Sequence, residues 1–434
     1  MAAEVDKSME VNLLYGSNGL AADFPEDRTS VVRARETPPI ADEMGAVLRA
    51  LREPIASAPL RDLAGPTDHV AIVFSDITRA VPYRTILPPL LQELSRVPVA
   101  QVVFINALGS HRSNTQDELV EILGAEVVER YRIEQHDSHS EEDLVSLGRT
   151  ASGNEIWVNR TYMQSSVRIL TGLIEPHLFA GFSGGPKAVL PGIAGIRSIA
   201  TNHGAHMIGH PGSGFGRTQG NPIWEEMMEV ALMTEPTFLV NVTQTEGRGL
   251  SGVFAGRLAE AHAAGVDFAR RHSVVPVDRD FEVVVTTAGG YPFDISMYQS
   301  VKGVAAAGAI VKDGGAIVLA SECREGVPSF GEFGYILRAS QDPDRLLGMV
   351  SSSGFFMQDQ WDAQILAQIV RRADLHIYSD GLSEDQVRQT FGRPCEDISG
   401  TVRDLLKEHG PHARVAVLPA GPLSVPFLNG SRSP

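Results

Sequence analysis

The sequence has few cysteines, no long hydrophobic run and a shortage of basic charge, and each feature excludes a class of protein. Only two cysteines, Cys323 and Cys395, occur in 434 residues. These are too few for a disulfide scaffold or an all-cysteine zinc site. No apolar run approaches the roughly 18–20 residues that a membrane-spanning helix needs. The formal net charge of −16 disfavours nucleic acids and anionic membranes as partners.

The N-terminal segment MAAEVDKSMEVN also lacks the basic flank and apolar core of a secretory signal, so we expect a cytoplasmic protein. Apolar residues make up 43% and charged residues 21% of the chain. This composition is typical of a folded, globular protein and not of a disordered one. The length predicts two or three domains, at roughly 100–200 residues per domain.

Short apolar runs rich in β-branched residues alternate with segments of helical period. Near-continuous apolar runs are typical of strands that are buried on both faces of a parallel sheet. The predicted strands are 69–74, 101–107, 167–173, 237–243, 282–287, 315–320, 374–379 and 413–418. The predicted helices are 82–95, 256–271, 296–308, 360–372 and 401–409. This alternation predicts an α/β fold with mainly parallel sheets.

A domain boundary is predicted at 272–280, where an alanine-rich helical pattern ends and a new strand pattern begins. We therefore expect an N-terminal α/β domain over 1–272 and a C-terminal α/β domain over 280–410. The terminal segment 413–434 could belong to either domain. Ligands of open parallel sheets bind beyond the carboxyl ends of the strands, and polar or glycine-rich segments follow several predicted strands here.

The most informative of these segments is 175–195, EPHLFAGFSGGPKAVLPGIAG. Glycines at this density, Gly184 and Gly185 among them, allow backbone N–H groups to approach and cradle an anion. A Walker P-loop is disfavoured, because a proline precedes Lys187 and Ala188 replaces the Ser or Thr that would bind magnesium. The alternative interpretation is a glycine-rich turn with a surface lysine.

Two shorter polar segments follow the first two predicted strands. In SDITR, Asp76, Thr78 and Arg79 leave the first strand, and arginine suits bidentate binding of a carboxylate or phosphate. In GSHR, His111 follows the second strand, which places it at the same predicted sheet edge. A helix cap with a surface arginine, and a structural histidine, are the alternative interpretations.

The segment NHGAHMIGH carries three histidines, His203, His206 and His210, at i, i+3 and i+7. On a continuous helix they would share one face, and imidazole suits nickel, zinc, copper or iron. A zinc-dependent hydrolase is therefore one hypothesis. About two helical turns separate the outer pair, which is awkward for a single ion, so one ligand with two bystanders is the alternative.

The segment GGYPFDISMYQSVKG follows the first predicted strand of the second domain. Gln299 and Lys302 are three residues apart, so on a helix they face one way. Together they could bind a small anionic, oxygen-rich substrate. A glutamine and a lysine on a helix surface are also common without any function.

Taken together, these segments resemble the LarA-type lactate racemase family, the nickel-pincer nucleotide enzymes. The similarity runs from SDITR through GSHR, PHLFAGFSGGPK, NHG and YPFDISMYQSVKG to the pair QW at 360–361. The block PHLFAGFSGGPK is its most specific part. The resemblance implies two α/β domains around a central cleft, an isomerase acting on a small 2-hydroxy acid, and cofactor-synthesis proteins as partners.

The resemblance also implies a cofactor, the nickel-pincer nucleotide (pyridinium-3,5-bisthiocarboxylic acid mononucleotide with nickel). Lys187 matches the lysine that carries this group covalently, and His203 matches the histidine that completes the nickel site. The further residues assigned to cofactor binding are Asp76, Thr78, Gly184 and Gly185.

His111 and His177 match the two acid/base histidines of the family. The residues assigned to substrate binding are Arg79, Gln299, Lys302, Tyr298 and Trp361. In the implied mechanism one histidine removes the hydroxyl proton while hydride leaves Cα. The planar 2-keto acid then receives hydride on its opposite face. Histidine suits both directions because its unperturbed pKa, about 6.5, lies near working pH.

One departure from the family pattern concerns the substrate. Ala80 follows Arg79 where the family commonly has proline. Relatives act on lactate, malate, aromatic hydroxy acids and sugar acids, so the prediction is a racemase or epimerase of lactate or a related 2-hydroxy acid. A non-catalytic homologue that binds a small anion is the other alternative.

Overall fold

The structure is a computed structural model that describes residues 7–35, 37–245, 247–328, 331–340 and 342–428. The strands are β1 (Ser8–Leu13), β2 (Leu20–Pro25), β3 (Thr29–Val31), β4 (Val70–Ser75), β5 (Val102–Ala107), β6 (Arg132–Gln135), β7 (Leu144–Arg149), β8 (Glu155–Asn159), β9 (Val167–Leu173), β10 (Pro176–His177), β11 (Gly181–Phe182), β12 (Phe238–Gln244), β13 (Leu250–Gly256), β14 (Val274–Val277), β15 (Phe281–Thr287), β16 (Val311–Ala320), β17 (Ala373–Tyr378), β18 (Arg393–Pro394), β19 (Val415–Leu418) and β20 (Val425–Leu428).

The α-helices are α1 (Glu43–Arg52), α2 (Leu60–Leu63), α3 (Tyr83–Glu93), α4 (Gln116–Leu123), α5 (Ala125–Arg130), α6 (Arg160–Gln164), α7 (Ile196–Asn202), α8 (Ala205–Ile208), α9 (Pro222–Met233), α10 (Leu258–Ser273), α11 (Met297–Gly308), α12 (Phe333–Ser340), α13 (Pro343–Val350), α14 (Gln360–Val370), α15 (Glu384–Gln389) and α16 (Ile398–Glu408). Within the described ranges, none of these helices has the length and apolar character to cross a membrane.

The chain forms two compact units, named here by their main segments. The N-terminal unit comprises the described residues of 37–203 and 210–272, and the C-terminal unit comprises those of 7–35, 204–209 and 273–428. Each unit contains a six-stranded sheet.

The sheet of the N-terminal unit has the strand order β13-β12-β9-β4-β5-β6. All neighbours are parallel except β12 and β13, which are antiparallel. Its central strand β4 buries every residue from Val70 to Phe74, as expected for a β-branched run that is covered on both faces. The carboxyl ends of β9, β4 and β5 are therefore adjacent at one edge of the sheet.

The sheet of the C-terminal unit has the order β18-β17-β16-β15-β19-β3 and is parallel throughout. The hairpin of β1 and β2 packs into the core of this unit, where Leu13 and Phe24 lie with Val283 and Val417. Helix α11 follows β15 and packs closely on it. A Cβ atom at Gly303 would lie 2.2 Å from the carbonyl oxygen of Thr287.

All eight predicted strands and all five predicted helices are present, with ends that differ by a few residues. The predicted division at 1–272 differs from the two units, because residues 7–35 belong to the C-terminal unit. The physical reason is pairing, since β3 joins β19 in that sheet. The run 413–418 contributes β19 to the same sheet and does not join the N-terminal unit. Residues 1–6 and 429–434 of the predicted domains lie outside the described residues.

Candidate active site

Three neighbouring parallel strands deliver the predicted polar residues to one sheet edge of the N-terminal unit. Asp76 follows β4 directly, His111 lies shortly after β5, and His177 lies shortly after β9 in β10. These strands are adjacent in the order β9-β4-β5, so the loops at their carboxyl ends meet where α/β sheets bind ligands.

Asp76 and His111 form a hydrogen-bonded pair. Oδ2 of Asp76 lies 2.5 Å from Nδ1 of His111, and the Thr78 hydroxyl donates to Oδ1 of Asp76 over 2.7 Å. Burial raises the pKa of Asp76, but the charge and hydrogen bond of His111, the Thr78 hydroxyl and Arg79 lower it more, so the pKa lies below its ordinary value. Asp76 is therefore ionised at neutral pH and can only accept. Nδ1 of His111 donates, and Nε2 of the neutral ring carries the lone pair.

His177 has the opposite hydrogen-bond polarity. It is buried and pairs with Gly181 in the short antiparallel ladder of β10 and β11. The backbone N–H of Ala180 donates to Nδ1 of His177 over 3.3 Å. An accepting Nδ1 places the proton of the neutral ring on Nε2. In their neutral forms, His111 would present a lone pair at Nε2 and His177 an N–H group.

Lys187 lies in a 3₁₀ turn, Gly185–Ala188, at the end of the glycine-rich loop. Gly184 and Gly185 have φ values of +73° and +49°, in the region that favours glycine. The side chain of Asn241, on β12, accepts a hydrogen bond from the backbone N–H of Gly185 over 2.7 Å. Sequence reasoning did not identify Asn241, which holds this loop from within the core.

The Phe179 ring joins three of the predicted residues. Its centroid lies 4.6 Å from the His177 ring centroid and 5.1 Å from that of His203, both edge to face. The Lys187 ammonium lies over the same ring, 5.7 Å from its centroid. Phe179 was not predicted as a site residue. The only signal was its position between His177 and Lys187 in the PHLFAGFSGGPK block.

His203 is the buried histidine of the NHGAHMIGH segment. It caps the end of α7, and its backbone N–H donates to the carbonyl of Ile199 over 2.8 Å. Burial, and then the nearby Lys187 ammonium, hold the pKa of His203 well below its ordinary value. Its imidazole is therefore neutral, which is the form that binds metals.

His206 and His210 do not share a helical face with His203. The helix ends at Asn202, and a separate short helix begins at Ala205, while His206 and His210 are both exposed. Across the part of the chain that the structure describes, no group of three His, Cys, Asp or Glu side chains is arranged to hold a metal. The three-histidine zinc site is thus not formed.

Arg79, the predicted carboxylate-binding residue, pairs with Glu175. The distance from Nη1 of Arg79 to Oε1 of Glu175 is 3.3 Å, and both side chains are about one-fifth exposed, at 24% and 19%. Glu175 immediately precedes β10, which carries His177. The glutamate was not predicted, and it supplies the guanidinium with a carboxylate partner inside the chain.

The predicted residues of the C-terminal unit form two pairs of their own. The Lys302 ammonium donates to Oε1 of Gln299 over 2.6 Å, and the Trp361 indole donates to the Tyr298 hydroxyl over 3.2 Å. Burial, and then Asp362 and Asp359, raise the pKa of Tyr298 well above its ordinary value. The tyrosine therefore stays protonated and can donate a hydrogen bond.

Comparison with known proteins finds the same family over most of the chain. Residues 15–216 match the lactate racemase N-terminal domain, and residues 277–425 match the lactate racemase C-terminal domain. The lactate racemase of Thermoanaerobacterium thermosaccharolyticum is 33% identical over 417 residues, covering 95% of this chain and 97% of the relative. That of Lactiplantibacillus plantarum is 34% identical over 382 residues, covering 87% and 90%.

Solved structures agree with these matches. The lactate racemase apoprotein from Thermoanaerobacterium thermosaccharolyticum superposes with a TM-score of 0.90 at 32% identity, covering 96% of this chain and all of that chain. A Thermotoga maritima protein shares the fold alone, with a TM-score of 0.65 at 17% identity and 91% of this chain covered. On these matches the chain is an isomerase of the racemase type and belongs to the lactate racemase family.

Proposed function

We propose that this protein interconverts the two enantiomers of a 2-hydroxy acid through a 2-keto acid, and that lactate is the first substrate to test. The relatives that carry the name lactate racemase support the substrate class. The observation that carries the proposal is the placement of His111, held by Asp76, and of His177 at neighbouring strand ends of one sheet edge.

Racemisation by this route needs a base for the hydroxyl proton of one enantiomer and an acid for the carbonyl oxygen of the keto acid. Nε2 of His111 can accept the hydroxyl proton, because Asp76 holds Nδ1 as the donor and stabilises the imidazolium that forms. To return a proton to the oxygen when the new enantiomer forms, His177 must be in its imidazolium form, because loss of Nε2–H from the neutral ring would leave an imidazolate. In the reverse direction the two histidines exchange these roles.

The residues around Lys187 fit the nickel-pincer nucleotide that the sequence resemblance implies. Lys187 would hold it covalently, and the neutral, buried imidazole of His203 would bind the nickel. Gly184 and Gly185 give the loop before Lys187 its positive-φ shape. When bound, the group would supply the hydride acceptor and donor for Cα. Proteins that synthesise this cofactor are then required partners.

Arg79, Gln299 and Lys302 are proposed to bind the substrate carboxylate. The guanidinium can exchange the Glu175 carboxylate for that of the substrate, because an ion pair at this partly exposed position is weak. The hydrogen bond from Lys302 to Gln299 fixes the ammonium and the amide relative to each other. Binding of this kind would also retain the keto acid until it is reduced again.

The test begins with protein co-expressed with the cofactor-synthesis proteins. Intact mass should show an adduct of several hundred daltons that Lys187→Ala lacks, and the loaded protein should racemise lactate or another 2-hydroxy acid. An unmodified mass, or a loaded protein that racemises no 2-hydroxy acid, would contradict the proposal. The second outcome would favour a non-catalytic anion-binding homologue.

The two histidines are separated by a single-turnover experiment with pure enantiomers. His111→Ala should leave cofactor reduction by one enantiomer intact, and His177→Ala should spare the other. Because general acid–base help is worth about 10²–10⁴-fold, this asymmetry is easily resolved. Identical behaviour of both enantiomers in both variants would rule out the two-face assignment.

A further inference from the structure

A buried carboxylate lies behind the turn that carries His203. Glu226, on α9, is only 4% exposed, and its carboxylate is surrounded by neutral donors. The Thr150 hydroxyl donates to Oε1 over 3.0 Å, and Ser152 donates to the same oxygen. The Asn154 and Asn202 amides donate to Oε2 over 3.1 and 2.8 Å. Hydrogen bonds to a charged acceptor are stronger than neutral ones, so the carboxylate fixes these four side chains.

One of the four donors adjoins the proposed metal ligand. Asn202 is fully buried, is the last residue of α7, and precedes His203 in the chain. Its amide also donates to the carbonyl of Ile223 over 3.2 Å. The other three donors lie in the turn between β7 and β8. Asn202 therefore links Glu226 to the last residue of α7, while Asn154 reaches the same helix one turn earlier, at the carbonyl of Ser198.

The backbone around His203 needs such a link. A helix end leaves its last carbonyl groups without intrahelical donors, and Gly204, which follows His203, constrains the chain least of all residues. The His203 backbone N–H is tied back to Ile199, but that bond does not fix the residue against the core. The Asn202 side chain ties the end of α7 to α9, through Glu226 and the Ile223 carbonyl, beside the contact of the His203 ring with Phe179.

We propose that Glu226 is a positioning residue that acts through Asn202 to hold the His203 imidazole in its buried orientation. The consequence for nickel rests on the proposed function, in which His203 binds the metal. The consequence for the imidazole itself does not, because it concerns the protein without cofactor.

Asn154 provides a matched control for Asn202. Both amides donate to the same carboxylate oxygen and both side chains are buried, at 3% and 0% exposure. Each also donates to one backbone carbonyl, that of Ser198 on α7 for Asn154 and that of Ile223 on α9 for Asn202. Asn154→Ala and Asn202→Ala should therefore cost similar stability, while only Asn202→Ala releases the residue before His203.

The first readout is chemical modification of His203 by diethylpyrocarbonate in cofactor-free protein, followed by peptide mass mapping. We expect Asn202→Ala to accelerate it at least about tenfold, the effect of one hydrogen bond to a charged group, with Asn154→Ala close to wild type. The second readout is nickel loss from loaded protein during dialysis, which should follow the same order. Glu226→Gln keeps the side-chain size and should show the same faster modification and nickel loss as Asn202→Ala. It replaces Asn202→Ala in the experiment if Asn202→Ala does not fold.

Equal acceleration in Asn154→Ala and Asn202→Ala, or none in Asn202→Ala and Glu226→Gln, would overturn the positioning role. If His203 becomes reactive in Asn202→Ala while nickel retention is unchanged, the positioning role stands and the assignment of His203 as nickel ligand fails. The two proposals are thus tested separately.

Discussion

Replacing Asp76 by asparagine tests the proton-transfer geometry most directly. Asparagine has nearly the size of aspartate but lacks the negative charge that faces Nδ1 of His111 at 2.5 Å. Its amide can also donate to Nδ1. The neutral ring would then carry its proton on Nε2 and lose the lone pair that accepts the hydroxyl proton.

Two effects set the expected loss. A hydrogen bond to a charged group contributes about 1.5–3 kcal/mol, and we take the lower value because His111 is 34% exposed and water screens the pair. About 1.5 kcal/mol corresponds to roughly tenfold in rate. The wrong tautomer removes general-base help of about 10²–10⁴-fold. The two losses overlap, because both come from the same hydrogen bond, so the larger one sets the expectation. We therefore expect kcat to fall by about 10²–10⁴-fold, as the wrong tautomer does in serine proteases.

The assay is the initial rate of racemisation of each enantiomer, on protein whose adduct mass and nickel content equal those of the wild type. Thr78→Val is a milder perturbation for comparison. It removes the 2.7 Å hydrogen bond to the Asp76 carboxylate but keeps the negative charge of Asp76. The lost bond is a hydrogen bond to a charged group, worth about 1.5–3 kcal/mol, and at the lower value Thr78→Val should lose about tenfold.

The pH dependence of stability provides an independent check on Asp76. Because its pKa in the folded protein lies below the ordinary value of about 3.9, ionised Asp76 stabilises the folded state above about pH 4. This contribution is lost as the pH falls through the lower folded-state pKa. Urea unfolding should show Asp76→Asn less stable than wild type at pH 7, with a gap that narrows below about pH 4.

Two results would refute this reasoning in different ways. An Asp76→Asn protein with full cofactor loading and most of the wild-type kcat would show that Asp76 does not orient His111. Loss of cofactor loading, with normal kinetics of the loaded fraction, would instead support the sequence prediction that Asp76 binds the cofactor.

Three further predictions concern other residues of the N-terminal unit. His203→Ala should lose nickel while the organic adduct stays on Lys187; an unchanged nickel content would remove His203 as ligand. Glu175→Gln frees the Arg79 guanidinium, so KM should fall by up to about fivefold, the worth of a surface ion pair; a higher KM would mean that Glu175 orients Arg79. Burial lowers the pKa of His262 to about 3, so below about pH 6.5 the unfolded chain binds a proton that the folded protein does not. As the pH falls from 6.5 to 5, the free energy of unfolding should therefore decrease by about 2 kcal/mol more in the wild type than in His262→Phe. Equal decreases in the two proteins, measured by urea unfolding, would contradict this.

The sheets were predictable because their strands are near-continuous apolar runs. Val70–Phe74 is buried throughout. Such a short, continuous apolar run is typical of a strand that is covered on both faces. The hairpin of β1 and β2 was not predicted. Its burial alternates residue by residue along each strand, unlike the continuous apolar runs from which the other strands were predicted. Its core partners, such as Val283 and Val417, lie far along the chain. Sequence periodicity is local, so it could not predict that this N-terminal hairpin belongs to the C-terminal unit.

The polar residues of the candidate site were predictable for a different reason. Loops after parallel strands collect at one edge, and Asp76, His111 and His177 all follow such strands. Their hydrogen-bond roles were not predictable, since the donor to Nδ1 of His177 is a backbone N–H group. Phe179 and Glu175 were missed because an aromatic ring and a carboxylate are common in any sequence. Only their contacts distinguish them.

Helix α9 shows how much of the site depends on residues without a motif. Glu226 holds Asn202, next to His203, while Trp224 stacks on His262 with ring centroids 6.4 Å apart. His262 in turn lies under the glycine-rich loop, where a Cβ atom at Gly185 would come within 2.5 Å of its ring. One helix therefore supports both the loop of Lys187 and the turn of His203. Close-packed interiors transmit strain. A substitution on α9 should therefore disturb both Lys187 and His203, although α9 is distant from both in the sequence and carries no recognisable motif.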